Sequence, residues 1–292
     1  MTEPVVPEAW HELLGALKAE SGAAMVIGGV DTGKTVLSCW LAERLAERGP
    51  AALVDADLGQ SVIGPPGTVG WRMAGAETEE FVFVGVTSPA QRPLGAVSAT
   101  WRACQRARAA GAAWLVLDSS GYVDGSGAVA LKRAKLDLVR PSDVVLIEDR
   151  PGRLEDIARS MRPGEARVHR LQAIAPDSKS PAHRRGWRRE RFARYLAGAQ
   201  VQRLELAGRA VYGGRPWLWG GSWPKLEAHL RGLLVGLSDA EGIGLAIGVL
   251  RGATDDGQAL EVLAPPVDLD RVAALGLGTV RLHEDGTQIS SD

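Results

Sequence analysis

Asparagine is absent from the 292 residues, lysine occurs six times and cysteine twice. Cys39 and Cys104 cannot form a disulfide framework, so we expect a reducing compartment. No apolar run approaches the roughly 20 residues that a membrane span needs. The N-terminus has no basic segment followed by an apolar one, so we expect no secretory signal. Together these absences predict a cytoplasmic protein with no membrane partner.

The shortage of lysine and asparagine has two possible sources. Of the 34 basic residues, six are lysine and the rest are arginine. Depletion of heat-labile asparagine is a trend of thermophilic proteins, and a GC-rich genome would produce the same bias. The remaining composition, 45% hydrophobic and 24% charged, excludes a disordered or collagen-like chain. The length predicts one or two domains.

Positive charge is concentrated in one segment. The net charge of −1 excludes a uniformly basic nucleic-acid binder. Between Lys179 and Arg194, however, seven basic residues accompany one acidic residue, whereas residues 200–292 hold eight basic and twelve acidic ones. A local basic stripe on a neutral protein indicates one site for an anionic ligand; the alternative is a solvated helix face.

Apolar segments alternate with helical patterns through the first two thirds of the chain. Strands are predicted at Ala23–Ile27, Ala51–Val54, Phe81–Val86, Ala113–Leu117, Val144–Ile147 and Val168–Ile174. Helices are predicted at residues 8–20, Leu37–Glu47, Leu94–Ala110 and Ser126–Leu138. Continuous apolar strands between helices predict an α/β fold with a parallel sheet covered on both faces.

The amino-acid composition and the hydrophobic pattern change near residue 176. An Arg-rich helix ends near Gly198, and short alternating stretches such as Gly244–Leu250 follow. We therefore predict a domain over 1–199, with a helical lid at about 176–198, and a small β-rich domain over 200–292. Trp217, Trp219 and Trp223 would form the core of the small domain or, alternatively, a base-stacking platform.

The segment Gly28-Gly29-Val30-Asp31-Thr32-Gly33-Lys34-Thr35 matches G-x-x-x-x-G-K-[ST] between a predicted strand and a predicted helix. Backbone N–H groups of such a P-loop, at the start of a helix, cradle phosphates. Lys34 would reach the β- and γ-phosphates and Thr35 would bind Mg²⁺. This match predicts a P-loop NTPase sheet and a nucleoside-triphosphate ligand. A chain without asparagine cannot contain the guanine-reading N-K-x-D motif, which disfavours a GTPase.

Two carboxylates follow the second predicted strand. Asp55 and Asp57 are two residues apart, at the sheet edge where α/β folds bind ligands. One could hold a metal or its water while the other accepts a proton from a hydroxyl group. The alternative is one metal-holding aspartate beside a helix-capping one. The five histidines and two cysteines show no metal-ligand spacing.

Five segments in order resemble one family, the P-loop polynucleotide 5′-hydroxyl kinases, which includes the eukaryotic pre-mRNA cleavage-factor and rRNA-processing kinases and shorter archaeal and bacterial members. The segments are GGVDTGKT at 28–35, DADLGQSVIGPPGT at 55–68, Thr87-Ser88-Pro89, LVLDSSGYVDGSG at 115–127 and RRGWRRERFARYLAG at 184–198. The resemblance covers roughly residues 20–200. It implies transfer of the γ-phosphate of ATP to the 5′-OH of single-stranded or end-exposed RNA, or DNA, in RNA processing or repair.

The resemblance also implies roles for individual residues. Lys34 and Thr35 would serve ATP and Mg²⁺, and Asp57 matches the general base, with Asp55 holding the metal through water. Gln60, Thr87 and Ser88 would lie near the acceptor, and Arg184 and Arg188 would be lid arginines over the transferring phosphoryl group. Tyr122 stands where the family has a base-stacking tryptophan, and Asp118 replaces an asparagine.

Two other functions compete with the kinase hypothesis. One is a non-catalytic ATP-binding scaffold, against which the presence of Lys34, Asp57, Arg184 and Arg188 argues. The other is a P-loop kinase of a small hydroxylated metabolite. The basic stripe favours a polyanionic acceptor, whose binding should weaken as the salt concentration rises.

Overall fold

The computed structural model describes residues 6–174, 180–213, 230–254, 257–283 and 285–289. The helices are α1 Glu8–Ala16, α2 Lys34–Ala46, α3 Pro93–Ala109, α4 Ser126–Val139, α5 Glu155–Arg159 and α6 Pro181–Tyr195. The first seven strands are β1 Gly22–Gly28, β2 Ala51–Ala56, β3 Thr68–Met73, β4 Glu80–Phe83, β5 Trp114–Ser119, β6 Asp143–Glu148 and β7 Arg167–Gln172. The others are β8 Gln200–Glu205, β9 Ala210–Gly213, β10 Leu233–Ser238, β11 Gly244–Ala253, β12 Ala259–Ala264, β13 Ala274–Leu282 and β14 Gln288–Ile289.

The described chain divides into two compact units. The first unit comprises residues 6–57, 70–79 and 93–174. The second comprises residues 58–69, 80–92 and the described residues from 180 onward. This division differs from the predicted boundary at residue 199, because α6 and two earlier segments belong to the second unit.

Strand β1 lies at the centre of the sheet in the first unit. The strand order there is β3-β2-β5-β1-β6-β7. Strand β1 runs parallel to β5 and β6, β2 runs parallel to β5, and β7 runs parallel to β6. Helix α2 packs against β1, β2 and β5, and α3 packs against β2 and β5. The predicted α/β fold with a largely parallel sheet is thereby confirmed.

Strand β3 was not predicted. It pairs with β2 in the antiparallel direction, with Val54 opposite Trp71. Its sequence, TVGWRM, alternates Val69, Trp71 and Met73 with Thr68, Gly70 and Arg72, a period-2 strand pattern that the predicted elements left out. Its location is decided by hydrogen bonds to a strand that precedes it by a dozen residues.

The second unit is built on a mostly antiparallel sheet, which agrees with the β-rich C-terminal part that the sequence predicts. The strand order is β14-β13-β10-β11-β12-β8, and β9 pairs with β13 in parallel. One cluster of buried residues includes Val235, Leu250 and Leu260. Another joins Phe81 and Phe83 of β4 with Phe192 of α6, Leu234 and Ile247. Burial of Phe192 in this cluster is the physical reason why the Arg-rich helix belongs to the second unit.

Several sequence features have simple outcomes. Cys104 is buried and Cys39 partly buried, and both are free thiols. Within the described ranges, no helix combines the length and the apolar character that crossing a bilayer requires. Lys179, Trp217, Trp219 and Trp223 lie outside the described residues.

Candidate active site

The phosphate-binding loop connects the central strand β1 to α2. Gly33 precedes α2 with a φ of +86°, a left-handed conformation that glycine adopts without strain. Gly28 is needed for a different reason. A Cβ atom there would lie 2.6 Å from Thr32 Oγ1 and 2.8 Å from the carbonyl oxygen of Ile147 in β6. The glycines therefore fix both the turn and the close approach of the loop to the sheet.

Gly29 is where several side chains of the loop meet. Thr32 Oγ1 donates a 3.0 Å hydrogen bond to the Gly29 carbonyl oxygen. Lys34 Nζ donates to the same oxygen, and the lysine side chain is buried. Lys34 is thereby held at the start of the loop, at the N-terminus of α2, where a phosphate group would meet both its charge and the helix dipole.

Thr35 contacts a carboxylate that the sequence analysis did not assign to the site. Its hydroxyl donates a 2.6 Å hydrogen bond to Oδ2 of Asp118, near the end of β5. Asp118 is 1% exposed. Burial raises the pKa of Asp118 to about 6, the charge of Lys34 and the Thr35 hydrogen bond oppose this, and the charge of Asp57 adds to it.

The oxygens around Thr35 are suited to a magnesium ion. Mg²⁺ binds one or two carboxylates and retains water and phosphate oxygens as further ligands. Asp118 Oδ1 is buried and has no hydrogen-bond partner among the described residues. In the same part of the chain, no group of three His, Cys, Asp or Glu residues forms a preassembled metal cage. The Thr35 hydroxyl and Asp118 Oδ1 could therefore bind a cation whose remaining ligands come from the nucleotide phosphates and water.

Asp55 and Asp57 lie beside this pair. Asp55 in β2 is the register partner of Asp118 in the neighbouring parallel strand β5, and both are almost completely buried. Oδ1 of Asp55 accepts a 3.0 Å hydrogen bond from the backbone N–H of Asp57. Asp55 thus shapes the turn that carries Asp57, which is half-buried just beyond the strand. The structure brings the two predicted carboxylates and Asp118 to one edge of the sheet.

A buried lysine faces the same edge from α4. Lys132 Nζ donates to Ser119 Oγ at 3.0 Å and to the Ser120 carbonyl oxygen at 2.7 Å. Ser119 Oγ in turn donates to the Val26 carbonyl oxygen in β1 at 2.7 Å. Burial lowers the pKa of Lys132 well below its usual value, whereas the charges of Asp57 and Asp118 act in the opposite direction. This chain of hydrogen bonds ties the end of β5 to the strand that precedes the phosphate loop.

Tyr122 follows β5 in the same unit. Its side chain is half-buried. A Cβ atom at Gly127 would lie 2.7 Å from the Tyr122 hydroxyl oxygen, so the ring packs beside the start of α4. Gly121, the preceding residue, approaches Val30 of the phosphate loop so closely that a Cβ would lie 2.7 Å from Val30 Cγ2. The segment that carries the proposed stacking residue therefore adjoins the phosphate loop.

The other predicted site residues belong to the second unit: Gln60, Thr87, Ser88, Arg184 and Arg188. Gln60, Thr87 and Ser88 are half-buried in the segments 58–69 and 80–92. Arg184 and Arg188 are half-buried on α6, and Arg188 Nε donates a 2.8 Å hydrogen bond to Gln288 Oε1 of β14. The roles of all five residues remain predictions.

Helix α6 carries one more arginine that the sequence analysis did not single out. Arg191 Nη2 donates a 2.8 Å hydrogen bond to the Gly64 carbonyl oxygen, in the segment that also contains Gln60. Its guanidinium carbon lies 5.5 Å from the ring centroid of Trp187. Helix α6 and the segment that contains Gln60 are therefore joined within the second unit.

The sequence profile of a known family, described as mRNA cleavage and polyadenylation factor CLP1 P-loop, matches residues 28–198. This region spans more than half of the chain, including the phosphate loop, the three carboxylates and α6. The chain belongs to this family. The resemblance inferred from five sequence segments is confirmed. The P-loop of the CLP1 family implies that its members use a nucleotide.

Similar proteins include two archaeal kinases. The chain is 27% identical to a polyribonucleotide 5′-hydroxyl-kinase of Thermococcus kodakarensis, over 97% of this chain and 95% of the relative. It is also 27% identical to a polyribonucleotide 5′-hydroxyl-kinase of Pyrococcus furiosus, over 91% of this chain and 89% of that protein. The polynucleotide 5′-hydroxyl-kinase GRC3 of Yarrowia lipolytica is 27% identical over 83% of this chain, which spans 41% of that protein.

Solved structures support the fold of this CLP1-family chain. Clp1p in its complex with Pcf11p superimposes with a TM-score of 0.68 at 13% sequence identity. The match covers 94% of this chain and 79% of Clp1p. At this low identity the likeness shows the fold alone.

Two residues of this CLP1-family site were missed by sequence reasoning. Asp118 directly follows the predicted apolar strand Ala113–Leu117, and an aspartate in that place in a P-loop protein is a recognisable signal for a metal-binding carboxylate. Lys132 gives no such signal, because a lysine in a helical pattern is normally exposed. Only the contact with Ser119 and Ser120 reveals that its ammonium group is buried.

Proposed function

We propose that this protein transfers the γ-phosphoryl group of ATP to the 5′-hydroxyl end of RNA; DNA is the second acceptor that the experiment below compares. The observation that carries the proposal is the meeting of Lys34, Thr35, Asp57 and Asp118 at the carboxyl edge of the sheet. The names of the archaeal relatives support the acceptor class. We infer a cytoplasmic location, which fits two free thiols.

The donor side neutralises phosphate charge. Lys34 and the backbone N–H groups of residues 28–35 would bind the β- and γ-phosphates. Thr35 and Asp118 would hold Mg²⁺, with Asp55 contributing through a water molecule. An ion held there would supply positive charge that reduces the repulsion between the phosphates and the incoming oxygen.

The acceptor side removes one proton. The carboxylate of Asp57 accepts the proton of the 5′-hydroxyl while that oxygen forms a bond to the γ-phosphorus. The bond between the γ-phosphorus and the β–γ bridging oxygen breaks, and ADP leaves. Gln60, Thr87 and Ser88 would contact the terminal nucleotide, and the ring of Tyr122 would stack on its base. Stacking of this kind is worth about 1–3 kcal/mol and tolerates any base.

Arg184 and Arg188 would supply charge from α6 to the transferring phosphoryl group. Phosphoryl transfer depends on alignment and charge neutralisation more than on covalent catalysis, so cationic side chains on a mobile element are effective. The predicted magnesium requirement, the lid roles and the acceptor contacts are parts of this proposal.

Phosphate transfer from γ-labelled ATP to 5′-hydroxyl single-stranded RNA and to matched DNA tests the proposal. The wild type, Asp57→Asn and the control Asp156→Asn are compared; Asp156 is an exposed residue of α5. We expect labelled 5′ ends with the wild type and the control, and loss of label with Asp57→Asn, although ATP still binds. ATP binding without transfer to either acceptor would contradict the proposal and favour a scaffold or a small-metabolite kinase.

A further inference from the structure

Arg153 lies directly against the phosphate loop. A Cβ atom at Gly29 would be 2.7 Å from Nη1 of Arg153 and 3.0 Å from its Cζ. The guanidinium therefore occupies the space that any other residue at position 29 would need. Gly29 is also the residue whose carbonyl oxygen receives the hydrogen bonds of Thr32 and Lys34. Arg153 thus packs against Gly29, and the carbonyl oxygen of Gly29 accepts the hydrogen bond that holds Lys34.

Two carboxylates hold the guanidinium in place. Arg153 Nη2 donates to Asp124 Oδ2 at 2.9 Å, and Nη1 donates to Asp149. The arginine side chain is 19% exposed, whereas Asp124 and Asp149 are 65% and 41% exposed. Hydrogen bonding to Asp124 raises the pKa of Arg153 and lowers that of Asp124. A planar guanidinium can bind two carboxylates and pack flat against a backbone, which a lysine ammonium cannot do.

These contacts join three separate segments. Arg153 itself lies in the turn between β6 and α5. Gly29 belongs to the phosphate loop, and Asp124 is two residues after Tyr122, in the segment between β5 and α4. Asp124 is thus close in sequence to the residue proposed to stack on the acceptor base. One side chain therefore spans the donor loop and the acceptor segment.

We propose that Arg153 is a positioning residue that holds the phosphate loop and the Tyr122–Gly125 segment in one arrangement, so that ATP and the RNA end are aligned. This inference rests on the proposed function. It assigns Arg153 no contact with the reacting atoms. Without the guanidinium, the Gly29 peptide unit loses its packing and the acceptor segment loses its link to the loop, so alignment suffers more than protein stability.

The test compares Arg153→Met, Arg153→Lys, Asp124→Asn and the double variant Arg153→Met/Asp124→Asn with the wild type. Arg159→Met is the control, because Arg159 forms an exposed ion pair with Glu155 on α5. Four quantities are measured: the unfolding midpoint, the affinity for a fluorescent ATP analogue, and the kcat and KM for RNA. The nucleotide-affinity measurement needs no phosphate transfer.

We expect Arg153→Met to lower kcat/KM for RNA by about 30-fold and to weaken binding of the ATP analogue by about 5-fold, because misplaced reacting groups slow the reaction. Asp124→Asn should lower kcat/KM for RNA by about 10-fold. The double variant should have the same kcat/KM as Arg153→Met, because both changes break the same link. Arg153→Lys should recover less than a tenth of the wild-type value. The control should behave like the wild type.

Other results would overturn the inference. Full recovery in Arg153→Lys would mean that only a point charge is needed. Additive effects of the two changes would show that Arg153 and Asp124 act independently. If Arg153→Met lowers the unfolding midpoint but leaves kcat and ATP affinity unchanged, the ion pair between Arg153 and Asp124 is purely structural. If the wild type transfers no phosphate, the proposed function fails; unchanged ATP affinity in Arg153→Met would then refute the positioning role separately.

Discussion

The hydroxyl of Thr35 donates a 2.6 Å hydrogen bond to Oδ2 of Asp118, a residue 83 positions later in the chain. The contact forms because β1 and β5 are parallel neighbours, so the first turn of α2, which contains Thr35, meets the carboxyl end of β5. It places a buried carboxylate and a hydroxyl where a phosphate-bound cation would need them.

Replacing Asp118 by Asn should slow phosphate transfer by weakening the binding of Mg²⁺. The amide keeps the shape of the side chain and can still accept the Thr35 hydrogen bond, but it lacks the negative charge. We expect kcat to fall by about 100-fold and the Mg²⁺ concentration for half-maximal activity to rise about 10-fold. A magnesium titration of the transfer rate measures both. Asp156→Asn removes the same charge at an exposed position and should change neither.

Buried Asp118 should also make stability depend on pH. Its pKa is raised by burial from 3.8 to about 6, so the folded protein binds this proton more tightly than the unfolded chain does. Ionised Asp118 therefore destabilises the folded protein above pH 6, and this cost disappears as the pH falls towards 4. Asp118→Asn should be more stable than the wild type at pH 7, by up to about 3 kcal/mol.

The difference in unfolding free energy between the wild type and Asp118→Asn is measured by urea titration between pH 4 and 8 in the presence of EDTA. The advantage of the variant should shrink as the pH is lowered through 6. An advantage that is constant with pH would argue against the raised pKa.

A methyl group at Gly28 should disrupt the phosphate loop. It would lie 2.6 Å from Thr32 Oγ1 and 2.8 Å from the backbone oxygen of Ile147, and the backbone oxygen cannot swing away. We expect Gly28→Ala to cost about 1–3 kcal/mol of folding stability and to reduce ATP affinity at least 10-fold. Calorimetry and nucleotide binding measure the two effects.

Gly15→Ala is the matched control for this change. Gly15 is exposed in α1, and no heavy atom lies within 4 Å of its added Cβ. The substitution should stabilise the protein by about 0.5 kcal/mol, because alanine favours helix more than glycine does. Equal destabilisation by both changes would mean that the packing around Gly28 is not the cause.

Loss of the lid arginines should slow transfer and leave ATP binding nearly unchanged. We expect Arg184→Ala and Arg188→Ala each to reduce kcat by about 10³-fold, comparable with the loss of an arginine finger. Single-turnover transfer with saturating ATP measures the effect. Arg203→Ala, which removes an exposed arginine paired with Glu205 in β8, should retain the wild-type rate. Near-normal rates in both lid variants would remove these residues from the reaction.

Local patterns were sufficient to predict much of the first unit. The apolar run at Ala23–Ile27, the glycines at 28, 29 and 33 and the helix predicted from Leu37 identify the phosphate loop. Each of these signals involves neighbouring residues, and the conformations of a buried strand and of a helix N-terminus follow from them directly. The predicted strands Ala51–Val54 and Val144–Ile147 lie inside β2 and β6 for the same reason.

Tertiary structure decided what depends on residues far apart in the chain. Thr35 finds Asp118, Lys132 becomes buried against Ser119, and Arg153 packs on Gly29 only after β1, β5 and β6 are adjacent. Phe192 draws the Arg-rich helix into the second unit by packing with Phe81 and Leu234. The sequence by itself determined the phosphate loop, the alternation of strands and helices and the family. Only the folded structure shows which charged groups surround the phosphate loop, because hydrophobic periodicity carries no information about which distant polar groups come into contact.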